Sequence, residues 1–348
     1  MNKKVVIIGG GFCGSLCARK LERNFKVTLI DKHDYFEFIP AVPRILLSGT
    51  DNSKIRILHS QYLKNSNIIK SEVNKVDKGF VQLENGRKVD YDYLVIAAGS
   101  RYTPFKAENA VSISRSTDLL KYSTKIKKAN SILIIGGGLV GVELAGELTT
   151  KTNKKITIVQ GGDRLIERNS VRASEYVKNF LEKRGCEILF NERIKKPVEG
   201  EKTFYTESGK KIKAELAFIC TGITPNSDIL NFYDKKKIDS RGYLIVNKNL
   251  KVSDNIFAGG DISSLSEEKT AQNAIRNAET ICKNIFNQES GKELVNYIPK
   301  STPLVISLGS YNGLFSYGNF FFSGIIPAIM KIMIEKHVMF RYRLNKYL

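Results

Sequence analysis

Short runs of β-branched and aliphatic residues alternate with segments of helical composition along most of this chain, the pattern of an α/β fold with parallel strands. Lys3 to Ile8 predicts a buried strand, Ser15 to Arg23 a helix and Lys26 to Ile30 the next strand. Ile68 to Val76 has a strand pattern, and Asn85-Gly86 predicts a hairpin turn between Phe80–Leu83 and Lys88–Tyr93. Tyr93 to Ala97 predicts another buried strand. The order then repeats: strands over Ser131–Ile135 and Lys155–Val159, a hairpin around Ser208-Gly209 after Thr203–Glu207, and a strand pattern from Lys211 to Cys220. Asn255 to Ala258 adds an apolar strand, and Ala271 to Ile285 a helix.

Each of the two repeated units opens with the same punctuation. The first strand runs into Gly9-Gly10-Gly11-Phe12-Cys13-Gly14, and the first strand of the second unit into Gly136-Gly137-Gly138-Leu139-Val140-Gly141. In a Gly-x-Gly-x-x-Gly turn between strand and helix, the first glycine allows the turn, the second lets backbone approach a pyrophosphate, and the third lets helix and strand pack closely. Free N–H groups at the helix start then bind the anion. Asp31 ends the strand after the first turn, where a carboxylate accepts hydrogen bonds from the hydroxyls of an adenosine ribose. The matching position of the second unit holds Gln160, with Arg164 four residues on. Loss of the acid removes repulsion of a 2′-phosphate and Arg can pair with one, which admits NADPH alongside NADH. Two such turns in one chain imply two dinucleotides held face to face, and electron transfer between them.

At 348 residues the chain has room for two or three domains. Its formal net charge of +20 fits plain solubility, or attraction to anionic lipid, nucleic acid or dinucleotides. The basic residues are scattered rather than clustered, so no specific nucleic acid is expected. Five cysteines without a disulfide pattern, and a start that leads straight into a strand, point to a reducing cytoplasmic compartment. Three scattered histidines and no Cys-x-x-Cys predict no metal site. Cys13 and Cys17, four apart on a helix, read as small packing residues in preference to a redox pair.

Other stretches carry candidate chemistry. The segment from Asp34 to Thr50 holds an aromatic cluster and Pro40-Ala-Val-Pro-Arg44, which suits a rigid contact across a planar ligand or a loop leading into a helix. Ala98-Gly99-Ser100 and Thr221-Gly222 end strands with small residues that let the chain pass close to a cofactor, and Thr103-Pro104 reads as a linker. Gly259-Gly260-Asp261 closes a strand ahead of the Ala271-Gln272 helix start. From Ser301 to Met330 no residue is charged, but interspersed Gly and Pro argue against one continuous membrane span. The tail beyond Ile325 adds Lys331, Lys336, Arg341, Arg343 and Lys346 among apolar residues. That mixture suits a helix lying on an anionic bilayer. It also suits packing on its own domain or in a homodimer interface.

Taken together, these residues resemble the two-dinucleotide flavoprotein reductases, and within them the type II NADH:quinone dehydrogenases and the ferroptosis-suppressor, apoptosis-inducing-factor-like quinone reductases. The similarity lies in Gly136 to Leu148, in Asn255-Ile-Phe-Ala-Gly-Gly-Asp261, in Ala271-Gln272-Asn-Ala, in Pro40-Ala-Val-Pro43 with Ser48-Gly49, and in Met330-Lys331-Ile-Met-Ile-Glu335. It implies two Rossmann-like domains, the second inserted in the first: FAD at 1–104 with 224–300, NAD(P)H at 105–223, and a quinone- and membrane-facing segment at 301–348. For FAD it implies Gly9, Gly10, Gly11, Phe12, Gly14, Asp31, Lys32, Pro40, Arg44, the Val73 backbone, Ala98, Gly99, Gly260, Asp261 and Ala271. NAD(P)H would take Gly136, Gly138, Leu139, Gly141, Glu143, Gln160, Arg164 and Gly222. Glu143, Gln272 and Lys331 are the catalytic candidates, with Glu143 either a helix-terminus carboxylate or a gate and proton relay. Two departures stand out: Gln160 replaces the usual acid, and Asn277 stands where many members have a second Gln.

Hydride transfer asks the protein for position, with reacting atoms about 3–3.5 Å apart and water excluded, so no nucleophile is required. The expected function is FAD-dependent NAD(P)H:quinone oxidoreduction without proton pumping, peripheral on the inner face of the cell membrane, with a membrane quinone and an anionic lipid surface as partners. No cysteine pair is placed for sulfide oxidation. The alternatives are a reductase of a small acidic redox protein of ferredoxin or rubredoxin type, and a flavin-carrying binding protein whose redox state switches its association.

Overall fold

The computed structural model of the chain describes residues 2–49, 52–102, 109–112, 119–195, 202–228 and 230–344. The Thr103-Pro104 linker, Thr50 and Lys346 lie outside the described residues.

The first glycine turn belongs to a six-stranded sheet in the order Lys251–Ser253, Ile256–Ala258, Tyr93–Ile96, Lys4–Ile8, Lys26–Asp31, Asn67–Lys70. All neighbours are parallel except the antiparallel Lys251–Ser253 edge. Alternate residues of the central strand serve two cores, which is why the strand reads as a continuous apolar run. Val5 and Ile7 pack with Leu16 and Cys17 of the Phe12–Leu21 helix and Ile281 of the Ala271–Glu289 helix. Val6 and Ile8 face Val81 and Leu83 of a three-stranded antiparallel sheet.

The second glycine turn belongs to a five-stranded parallel sheet in the order Ala110–Ser112, Leu216–Ile219, Ser131–Ile135, Lys155–Val159, Glu187–Leu189. Its chain is interposed between the two pieces that form the first sheet. These are two Rossmann-type units, each with a glycine turn at the carboxyl end of its central strand.

Several elements depart from the pattern-based expectation. The first helix starts at Phe12, not Ser15, because the glycine turn is already helical from its fourth residue. The strand expected over Ile68–Val76 is two: Asn67–Lys70 extends the first sheet and Val73–Val76 pairs with Phe80–Leu83. Between them the Ser71 N–H bonds to the Asp31 carbonyl, turning the chain from one layer to the next. The Lys211–Cys220 run likewise divides into Lys211–Lys213, paired with Thr203–Tyr205, and Leu216–Ile219 in the parallel sheet.

The uncharged region folds as three antiparallel strands, Leu304–Ser307, Gly313–Tyr317 and Phe320–Gly324, followed by the Ile325–Arg343 helix. Among the described residues no helix is long and apolar enough to cross a membrane. The tail helix crosses to the first unit, where Tyr342 is buried and Arg44 places one nitrogen 2.7 and 2.6 Å from the two Glu335 oxygens.

Candidate functional site

The two glycine turns are near-copies. Gly9 has φ +95° and Gly136 φ +108°, and a side chain on either would run into a neighbouring carbonyl, of Ala97 or of Cys220. By contrast, nothing lies within 4 Å of where a Cβ would stand on Gly11 or Gly138. Both of these glycines begin their helices with no side-chain cap, so the N-terminal N–H groups face open space. Such a cradle carries about half a positive charge and fits a dinucleotide pyrophosphate. Gly99 and Gly222 end the strands beside the two turns, again with nothing within 4 Å of a Cβ position.

Asp31 is buried, and its Oδ2 accepts from the Gly10 N–H at 2.9 Å. The sequence pattern did not single out His59, which is fully buried beside it. Its Nε2 is 3.1 Å from Asp31 Oδ2 and its Nδ1 pairs with the Tyr62 hydroxyl. Phe12 packs edge-on against Phe36 and Phe38, Lys32 is exposed, and Val73 and Ala98 join the second core beneath the sheet. Asp261 accepts from Ser100 Oγ at 2.9 Å, and burial pushes its carboxyl above the ordinary range. The next turn of chain is held by Asn277, whose Oδ1 accepts from the Gly260 N–H at 2.8 Å and whose Nδ2 donates to Glu267 at 3.1 Å. The amide that replaces the second Gln is therefore a brace for the Gly260-Asp261 turn.

In the second unit Gln160 Oε1 accepts from the Gly137 N–H at 2.8 Å, the role Asp31 plays in the first. Arg164 donates from one guanidinium nitrogen to the Glu167 carbonyl, which places it on the same loop beside Gln160.

Three distant segments converge between the units. Glu143, buried inside the Leu139–Lys151 helix, accepts at Oε1 from Lys331 Nζ at 2.8 Å and from the Ser307 N–H at 3.0 Å. Lys331 also donates to the Val305 carbonyl at 3.3 Å. Pro40, Pro43, Arg44, Glu143, Lys331 and Glu335 share the lining of one cleft of about 190 Å³. Glu143 is the fifth residue of its helix, so it is a paired interior carboxylate and not a terminal one. Gln272 is exposed, Ala271 half-buried, and neither lines that cleft.

Cys13, Cys17 and Cys282 are buried together between the Phe12–Leu21 and Ala271–Glu289 helices. Hydrogen bonding with Cys13 and Cys282, reinforced by burial, pushes the Cys17 thiol well up, so Cys17 is a protonated packing residue.

Two Rossmann-type units, each with its own glycine cradle, define a two-dinucleotide oxidoreductase. Residues 3–278 match the pyridine nucleotide-disulphide oxidoreductase family, and the chain belongs to it. Members use FAD with NAD(P)H, and both cradles fit that pair. The chain is 33% identical to apoptosis-inducing factor homolog A of Dictyostelium discoideum over 95% of its own length and 89% of that protein. It is 30% identical to ferroptosis suppressor protein 1 of Taeniopygia guttata, covering 94% and 92%. Among solved structures, NDH2 from Plasmodium falciparum in complex with NADH superposes with TM-score 0.84 at 18% identity, covering 99% and 97% of the two chains. Sulfide:quinone oxidoreductase of Aquifex aeolicus gives 0.86 at 21%, covering 99% and 92%. At these identities the structures share the fold.

Proposed function

We propose that this chain is an NAD(P)H:quinone oxidoreductase that works without proton pumping at the inner face of a membrane. FAD held in the first unit would supply the hydride-accepting and two-electron-donating chemistry between NAD(P)H and the quinone. The proposed units are 1–104 with 224–300 for FAD and 105–223 for NAD(P)H, with 301–348 facing the quinone. In the first unit the Gly9–Gly14 turn and the Asp31, Gly99 and Asp261 groups hold the cofactor; in the second, the Gly136–Gly141 turn and Gln160 do so.

The observation that carries the reading is the reach of the tail helix. Its Lys331 meets Glu143 inside the cleft, while Ile326, Ile329, Met333 and Phe340, spaced three, four and seven apart, expose an apolar stripe on the same helix. The exposed Tyr317 and Phe320 add aromatics at the neighbouring hairpin. A helix with one end of its chemistry at the cleft and an unpartnered apolar stripe fits a quinone delivered from an anionic bilayer, where burying the stripe gains about 25 cal/mol per Å² and the +20 charge adds attraction. Gln272 is the proposed quinone-side contact, and the Pro40–Arg44 segment is proposed to lie along the flavin. One protein of the same fold, the sulfide:quinone oxidoreductase of Aquifex aeolicus, carries a quinone acceptor in its name, which supports an acceptor of this class.

The test combines sedimentation with kinetics. FAD-loaded protein should pellet with phosphatidylglycerol vesicles, and Ile329→Glu with Met333→Glu should release it. It should also reduce a short-chain quinone faster than it reduces oxygen. No quinone reduction above the oxygen rate, with turnover of an acidic redox protein instead, would give the function to the reductase alternative.

A further inference from the structure

The second cradle contains a device that the Gln160 substitution left unexplained. With its Oε1 committed to the Gly137 N–H, Gln160 turns its Nε2 outward, where it donates to Glu167 Oε1 at 3.0 Å. A carboxylate missing from the strand end is thus supplied from seven residues downstream. Two features put it there. Ile166, a β-branched residue, adopts φ +42°, and its N–H bonds to the Gly137 carbonyl at 2.9 Å, folding the loop back over the glycine turn. Gly162 makes the space: the Glu167 carboxylate occupies the position a Cβ would take on that residue. Behind it, Arg193 lies along Gly161, its Nε 3.3 Å from that glycine's Cβ position.

We infer that Glu167, held on Gln160, is the residue that discriminates NADH from NADPH. The inference rests on the reading that the second turn holds the nicotinamide dinucleotide. An exposed carboxylate beside the strand-end amide accepts from ribose hydroxyls, as a strand-end acid does, and repels a 2′-phosphate. Arg193 is the neighbouring guanidinium that a 2′-phosphate would pair with once that repulsion is gone. The sequence therefore favours NADH, with the capacity for NADPH held in check by one side chain.

Calorimetric titration of FAD-loaded protein with NAD⁺ and NADP⁺ tests this without turnover. The parent should bind NAD⁺ about tenfold or more tighter than NADP⁺, a difference worth about 1.4 kcal/mol. Glu167→Gln should shift the ratio of the two dissociation constants about tenfold toward NADP⁺, and Arg193→Ala on that background should abolish the gain. Gly162→Ala keeps the carboxylate's charge but displaces it from Gln160, and should shift the ratio in the same direction. Ratios within about twofold of the parent in both Glu167→Gln and Gly162→Ala would overturn the proposal. Failure of the parent to bind either nucleotide would overturn the assignment of the second turn itself.

Discussion

Tyr342, at the far end of the chain, lies with its hydroxyl 2.6 Å from Ser15 Oγ, and that Oγ donates to the Gly11 carbonyl at 2.6 Å. The tail helix is therefore tied to the residue at the base of the first dinucleotide cradle. Its ring stacks on Phe36 with centroids 4.1 Å apart, and the Arg19 guanidinium sits 4.6 Å from its centroid. A segment with an exposed apolar stripe is thus also part of the scaffold beneath the cofactor.

Replacing Tyr342 should loosen both. Tyr342→Ala removes a buried, stacked ring and should cost about 3–5 kcal/mol, with FAD lost on gel filtration. Tyr342→Phe keeps the stack, loses one hydrogen bond, and should cost about 1 kcal/mol while retaining most FAD. Urea denaturation together with the flavin absorbance of the eluted protein reads both effects. Unchanged flavin retention in the Ala variant would show that the tail does not support the cradle.

Glu143 and Lys331 should behave as a unit. Lys331→Met leaves a buried carboxylate held, among the described residues, by the Ser307 N–H, and should destabilise by about 3 kcal/mol. Adding Glu143→Gln should recover much of that stability without restoring turnover. A double-mutant cycle by denaturation and steady-state kinetics separates the two roles, and simple additivity in stability would rule out the coupling.

The cysteines should prove inert. Burial pushes the Cys186 thiol up to about 12, and Cys17 is raised by its cysteine neighbours and by burial. Both therefore stay protonated at about pH 8. A maleimide reagent at that pH should leave Cys17 and Cys186 unlabelled and NADH oxidation unchanged until the protein unfolds. Rapid native labelling at Cys17 with loss of activity would restore a redox role to it.

Asp261 should make stability fall as pH rises. Burial raises its carboxyl in the folded protein, while Ser100 and Lys269 pull the other way without cancelling the shift. A group raised on folding contributes stability below its unfolded value of about 3.9, and that contribution is lost as pH climbs through the folded value. Asp261→Asn stays neutral, so its melting temperature relative to the parent should increase from about pH 4 to pH 7. A parallel pH dependence in the two proteins would refute the assignment.

Much of the scaffold is legible along the chain. The apolar runs around Val6 and Leu133 are continuous because both sheet faces are covered, and the glycine spacings follow from sterics within six residues. The Ile68–Val76 run was less legible, since its apolar pattern does not say at which residue the chain leaves one sheet for another. The Gln160–Glu167 pair is hidden for a related reason: the spacing shows that the strand-end acid is missing, but not that the loop seven residues on folds back to place a carboxylate there, with Arg164 donating to the Glu167 carbonyl.

The sequence by itself determined two Rossmann units, their order and the two cradles, because strand period, turn chemistry and close packing are written in neighbouring residues. Only the tertiary structure decided that Glu167 answers for Gln160, that His59 backs Asp31, that Lys331 meets Glu143, and that Tyr342 braces Gly11. Each depends on how loops and layers fold back on one another, and the last two bring together residues well over a hundred positions apart. Local pattern constrains which residues are buried, but which buried residues touch is set by packing of the whole chain.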